Sequence, residues 1–154
     1  MGSASEPEVF ALRLLTSSTS SRFGRDFVEF EINNAGSVRY VNKSTYHGAD
    51  MIRKGFKVSS LVVAKIKDMV RESGILSVND EKWPKPGPND GAQEIEIVLD
   101  GKYLWLETCA LVSRNDTMKS SDPEGLSKLH LLSEDIQEIL LAFTNFRFKS
   151  SPFG

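Results

Sequence analysis

A chain of 154 residues with 40% hydrophobic and 26% charged residues has room for one globular domain with a real core, whereas two would be cramped. A net charge of -2 and a pI near 5.7 leave no overall basic field, which excludes sequence-independent nucleic-acid binding by the whole surface. The single cysteine, Cys109, excludes an internal disulfide and points to a reducing compartment; no apolar run approaches the roughly 18 residues of a membrane span, and residues 1–7 lack signal-peptide character.

Residues 1–7, small and polar, read as a disordered lead or an expression remnant, 8–150 as a single domain and 151–154 as a tail. From Glu8 to Leu15, Phe10, Leu12 and Leu14 share one parity and predict a strand, after which the Ser/Thr-rich stretch 16–21 reads as a loop. Phe23 to Ile32 predicts a half-buried strand, with Val28, Phe30 and Ile32 alternating against Glu29 and Glu31. Asn33-Asn34-Ala35-Gly36 tolerates positive φ, and Val38, Tyr40 and Asn42 resume the period of two, so a hairpin is predicted. Met51 to Val58 predicts a further strand, its Gly55 marking a weak point or a bulge.

Ser59 or Ser60 caps a first helix that keeps Val62, Val63, Ile66, Met69 and Val70 within about 120° of arc and stops at Gly74. The run Trp83-Pro84-Lys85-Pro86-Gly87-Pro88 fits neither helix nor central strand and predicts a loop pinned by Trp83. Gln93 to Asp100 and Lys102 to Cys109 flank Asp100-Gly101, the signature of a type I′ hairpin. Residues 110–121 read as a second long loop. The last element, Asp122 to Phe146, opens with Asp122 as N-cap, Pro123 at the first helical position and Glu124 in the first turn. Leu126, Leu129, Leu132, Ile136, Ile139, Leu140, Phe143 and Phe146 fall within roughly 160° of its wheel, wider than the stripe of about 100° that covers a core and so indicative of a second apolar contact. Leu131 and Leu141 lie outside that arc, beside Glu134 and Glu138, where they fit a partner surface better than a solvated face. Strands, helix, strands, helix with hairpin connections predict an α+β fold: a mostly antiparallel sheet with two long helices packed on one face.

Chemistry is sparse. Neither G-x-x-x-x-G-K-[ST] nor G-x-G-x-x-G occurs. A metal site from His47, His130 and Cys109 would need distant residues to fold together, and a Cys109/His130/Asp135 nucleophile arrangement competes with an inert strand-end thiol. Glu29 and Glu31 share a strand face, as paired carboxylates in a hydrolase would, but a solvated face is the commoner reason. Arg22, Arg25 and the triplet Arg147-Phe148-Lys149 support a competing reading, direct RNA binding. No residue set calls for a cofactor.

Six stretches then carry a resemblance: FGRDFVEFEI (Phe23 to Ile32), VRYVNKSTY (Val38 to Tyr46), MIRK (Met51 to Lys54), W-P-x-P from Trp83, QEIEIV (Gln93 to Val98) and SDPEGL (Ser121 to Leu126). In order and near spacing they resemble the mago nashi family over almost the whole chain. The resemblance implies a non-catalytic core subunit of the exon-junction complex on spliced messenger RNA, nuclear and shuttling to the cytoplasm. It implies a heterodimer with a small RRM protein, the tsunagi relative, whose sheet the helices cover. It also implies that the pair clamps a DEAD-box ATPase on RNA, touching RNA only indirectly and no membrane. On the RRM side it implies Phe143, to which periodicity adds Leu129, Leu132, Ile136, Ile139 and Leu140; on the ATPase side it implies Glu124. The chain departs from the family pattern in having Ser121 for a lysine, His130 and Leu131 for two aromatics, one extra residue between Pro84 and Ala92, and a Ser150-Ser151-Pro152-Phe153-Gly154 tail.

Overall fold

The structure, a computed structural model, describes residues 8–18, 26–43, 51–87, 90–109 and 121–150, the side chains of 145–150 excepted. Six strands, β1 (Ala11–Ser17), β2 (Phe27–Asn33), β3 (Ser37–Lys43), β4 (Met51–Lys57), β5 (Ala92–Leu99) and β6 (Lys102–Cys109), form one antiparallel sheet in the order β4-β3-β2-β1-β5-β6. Two helices, α1 (Ser60–Ser73) and α2 (Pro123–Ser150), complete an α+β arrangement, with a 3-10 turn at Ile75–Ser77 after α1.

Alternation along each strand sets the two faces. Register brings Leu14 against Phe30 and Ile95, Leu12 against Ile32 and Ile97, Phe30 against Tyr40, and Ile95 against Leu106. These side chains are buried in one cluster with Val63, Ile66 and Val70 of α1 and Leu126, Leu129, Leu132, Ile136 and Leu140 of α2. Both helices therefore lie on the same face. Burial of this apolar surface, at about 25 cal/mol per Å², is the main favourable term.

The turns follow their residues. Asp100 (φ 54°) and Gly101 (φ 74°) are both left-handed, which defines the type I′ hairpin. At the β2–β3 turn the Asn33 side chain accepts from the Ala35 and Ser37 amides, and Gly36 takes φ 83°. Gly36 also accepts the Val58 amide at 2.9 Å, and a Cβ on it would stand 2.4 Å from the Val58 oxygen, so two constraints require glycine. Ser59 caps α1 by accepting from the Val62 amide, and Gly74 ends it at φ 77°. Arg71, in the last turn, reaches Asp100 at 2.8 Å and Glu8 at 2.9 Å, tying α1 to the β5–β6 turn.

Two features differ from the sequence reading. β1 runs on through Thr16 and Ser17, because the Ser17 hydroxyl accepts the Ala92 amide at 3.0 Å and is buried as part of the ladder. Gly55 pairs directly with Arg39, so β4 has no bulge there. Residues 1–7, 19–25, 44–50, 88–89, 110–120 and 151–154, with the expectations attached to them, lie outside the described residues.

The start of α2 is a node. Asp122 Oδ1 accepts the Gly125 amide at 3.1 Å as N-cap, while Oδ2 accepts the Trp83 indole N–H at 3.0 Å. Trp83 is thereby buried, as its loop predicts. Gly125 is matched to this, since a Cβ there would lie 2.2 Å from Asp122 Oδ2. Asp122→Ala, losing the cap and leaving a buried indole N–H unpaired, should cost about 2–3 kcal/mol by urea unfolding, and Asp122→Asn clearly less. Gly36→Ala should cost about 1–3 kcal/mol through strain, seen as a lower urea midpoint with an unchanged slope.

Candidate functional site

Two broad surfaces stand open among the described residues: the outer face of the helices and the uncovered face of the sheet.

On the helix side, the crest of α2 carries Leu131, which is 53% exposed, and Leu141, which is 36% exposed, set among Glu134, Asp135, Glu138 and Ala142. Ten residues separate the leucines, about 15 Å along the axis. Leu61 of α1 is the most exposed large apolar side chain on this layer, at 80%. A groove between the helices is lined by Met69, Glu72, Lys128, Leu131 and Asp135. His130 and Glu134 pair one turn apart, Nε2 to Oε1 3.4 Å. The result is an apolar surface bounded by carboxylates.

The structure sorts the candidate partner-facing residues of α2. Leu129, Leu132, Ile136 and Leu140 are buried in the chain's own core and are not free to meet a partner. The 160° arc meets α1 of the same chain as well as the sheet, so its width is taken up within the core and does not by itself require a contact beyond it. Ile139 is half-buried, and Phe143 packs partly against the core, so each has only an edge to offer. Leu131 and Leu141, outside the arc, carry the exposed apolar area. Glu124 is exposed in the first turn of α2, beside the Asp122 node, where it complements the helix dipole.

On the sheet side, Arg13 at the centre of β1 gathers Glu29 of β2 at 3.3 Å and Glu96 and Glu94 of β5 at 3.2 and 3.8 Å. Arg39 of β3 bonds Glu29 at 2.8 Å and lies 3.6 Å from Glu31. Glu29 and Glu31 do share a face, yet arginines occupy them, so they are not the free carboxylate pair that hydrolysis requires. The Tyr103 hydroxyl and then the Arg13 guanidinium hold the Glu96 carboxyl below the usual carboxylate range. The Trp105 indole donates to Glu94 at 2.9 Å. Sequence reading passed over Arg13, Tyr103 and Trp105, although Glu107 on the same parity as both aromatics marks that row as the wet one.

The proposed nucleophile set is dispersed. Cys109 shares the parity of Trp105 and Glu107 and so belongs to the open face, whereas α2, with His130 and Asp135, covers the opposite one. His47, Arg22 and Arg25, and the side chains of Arg147, Phe148 and Lys149, lie outside the described residues. Among the described residues, no helix is long and apolar enough to cross a membrane.

The C-terminal half of the β6 edge is closed by the Trp83 loop. Asp80 accepts the Glu107 amide at 2.9 Å and pairs with Lys85 at 2.7 Å, Lys85 donates to the Glu107 carbonyl, and the Cys109 amide donates to the Pro84 carbonyl. Partial burial pushes the Asp80 carboxyl up, but the Lys85 and Glu107 contacts together more than reverse this, leaving it below its usual range.

The arrangement defines a class: a two-layer α+β domain with an apolar, acid-bounded helix surface and a charge-laddered sheet surface. A family model described as "Mago nashi protein" matches residues 10–153. The chain is 35% identical to "Protein mago nashi homolog" of Dictyostelium discoideum over 131 residues, 85% of this chain and 66% of that protein, just under two thirds of its length. It is 36% identical to "Protein mago nashi homolog" of Arabidopsis thaliana over 131 residues, 85% of this chain and 87% of that protein. The chain belongs to the mago nashi family.

Because the folded value of Asp80 is depressed, its contribution is present above the unfolded carboxyl value, about pH 4, and is lost as pH falls through the folded value. Asp80→Ala should cost about 1–2 kcal/mol at pH 7, mostly through the Glu107 amide, since Lys85 is largely solvated. The difference from wild type should shrink below pH 4 in urea titrations at stepped pH.

Proposed function

We propose that this chain is a non-catalytic adaptor subunit of an exon-junction-type complex, pairing through its helix layer with a small RRM protein and helping to hold a DEAD-box ATPase on spliced messenger RNA. Membership of the family supports this reading, and one observation in the structure carries it: exposed leucines of α2 stand among carboxylates on an otherwise well-packed helix.

An RRM sheet presents aromatic side chains flanked by Lys or Arg, the equipment for stacking bases and meeting phosphates. Leu131 and Leu141, with the edges of Ile139 and Phe143, suit the aromatics. Glu134, Asp135 and Glu138 suit the basic residues. The same carboxylates disfavour RNA on this layer, which weighs against direct RNA binding there. A standard interface of about 800 Å² per partner fits the outer surface of two helices. Leu131 stands where the family pattern has an aromatic, so the partner here meets a smaller, aliphatic anchor.

Glu124 is the candidate contact for the ATPase. It lies at the end of α2 fixed by Asp122, and Ser121 beside it replaces a lysine of the family pattern, which leaves this corner more acidic.

Since Phe143 also serves the core, the cleaner probes are the exposed leucines. The double variant Leu131→Arg/Leu141→Arg should fold with near wild-type stability and lose at least tenfold in affinity for the RRM protein co-purified from the same cells, measured by calorimetry. An unchanged affinity, or recovery of no RRM protein by the wild type, would remove the adaptor reading. Glu124→Arg should leave the heterodimer intact and reduce retention of the DEAD-box ATPase on RNA severalfold in a salt-washed pull-down; unaltered retention would take Glu124 out of that contact.

A further inference from the structure

Strand β6 is an edge, and only half of it is closed. The two-residue turn at Asp100-Gly101 seats Lys102 opposite Leu99 as a hydrogen-bonded pair. By alternation, Leu104, Leu106 and Thr108 also turn their N–H and C=O toward β5, while Tyr103, Trp105 and Glu107 turn theirs outward. The observed bonds agree: Asp80 and Lys85 meet the Glu107 amide and carbonyl from outside the sheet. Among the described residues nothing bonds the outward backbone groups of Tyr103 and Trp105.

The side chains at those two positions are 64% and 51% exposed, large aromatics on a wet sheet face. Each is held by a carboxylate, Tyr103 by Glu96 and Trp105 by Glu94. Around them stand Glu94, Glu96 and Glu107, with Glu29 and Glu31 beyond, against two arginines, Arg13 and Arg39, so that carboxylates outnumber guanidinium groups on this face. The surroundings are therefore acidic as well as aromatic, which suits a cation that can sit against a ring while meeting a carboxylate.

We propose that the free half of β6, Lys102 to Trp105, accepts an extended basic segment of a partner protein as a seventh strand. Backbone bonds to Tyr103 and Trp105 give the addition its register. Alternate Arg or Lys side chains of the added strand then fall on the open face, beside the aromatic rings and within reach of Glu94 and Glu96. The occupant follows from charge. A second copy of this chain laid along the edge would bring two acidic rows together, and a nucleic acid would bring phosphate to the same carboxylates. The closed half fixes where the added strand must end, because Asp80, Pro84 and Lys85 already occupy the edge at Glu107 and Cys109. The site lies on the layer opposite α2, so it does not depend on the reading of the helix surface and leaves that surface free.

The test uses the full chain, labelled with nitrogen-15, and an eight-residue peptide of alternating arginine and threonine, blocked at both ends, with its glutamate-threonine counterpart as control. We expect the basic peptide alone to bind, its affinity to fall at least tenfold in Trp105→Ala/Tyr103→Ala, and the Tyr103 and Trp105 amides of the wild type to become protected from hydrogen exchange when it is bound. The aromatic side chains are exposed, so the variant should keep its fold, which the unchanged amide spectrum of β1 and α1 would verify. Absence of binding at millimolar peptide, equal binding by the variant, or binding without amide protection would each overturn strand addition at this edge. Concentration-dependent dimerisation abolished by the same variant would overturn the choice of occupant in favour of a second copy.

Discussion

The two oxygens of Asp122 do separate jobs, and much of the architecture depends on their doing both. One satisfies an amide at the start of α2; the other takes the only polar hydrogen of the Trp83 indole. The longest helix and the proline-rich loop are thereby fixed to one carboxylate. From there the loop runs along β6 and closes half of its edge through Asp80, Pro84 and Lys85. Helix placement and edge closure, which look like separate features, share this anchor. Neither would follow from hydrophobic burial alone, because burial has no direction along the helix axis.

The layers of the molecule have complementary chemistry. The helix layer encloses the core beneath and offers leucines among carboxylates above. The open sheet layer instead compensates much of its charge internally, with Arg13 and Arg39 threaded between glutamates of two strands, β2 and β5. Such exposed or half-exposed pairs add little stability individually. Their effect is on register: shifting β1 by one residue against either neighbour would move Arg13 to the core face and Leu12 and Leu14 to water. The charge ladder and the apolar ladder thus select the same alignment.

Local signals were the most legible. Asn33 to Gly36 and Asp100-Gly101 announce their turns because only a few residue types tolerate positive φ, and Ser59, Gly74 and Asp122 announce helix ends by the groups they satisfy. The family, too, could be recognised, since its motifs coincide with those constrained places. The division of α2 into core and surface was less legible. A helical wheel measures the angular width of apolar residues, and a helix wedged between a sheet and another helix is wide without having any spare apolar face. That is why Leu129, Leu132, Ile136 and Leu140 belong to the interior while Leu131 and Leu141, off the arc, carry the exposed area. Contacts across long separations, such as Trp83 with Asp122 or Arg13 with Glu94 and Glu96, were not legible at all, because they depend on a register that no local pattern states.

The strand order has a consequence for how the molecule is assembled. The first four strands form a meander of neighbours, and β5 and β6 form a hairpin, but the two sets meet only where β1 pairs with β5. That seam joins residues about eighty positions apart, so its loop-closure entropy falls on one step. Until the seam closes, β1 and β5 are both edges, each with an apolar row of Leu12 and Leu14 or Ile95 and Ile97 exposed to solvent. During synthesis the meander emerges well before its mate, and the nascent chain must carry the uncovered side of β1 until the hairpin arrives. The strand at the centre of the finished sheet is therefore the one that waits longest for its second neighbour.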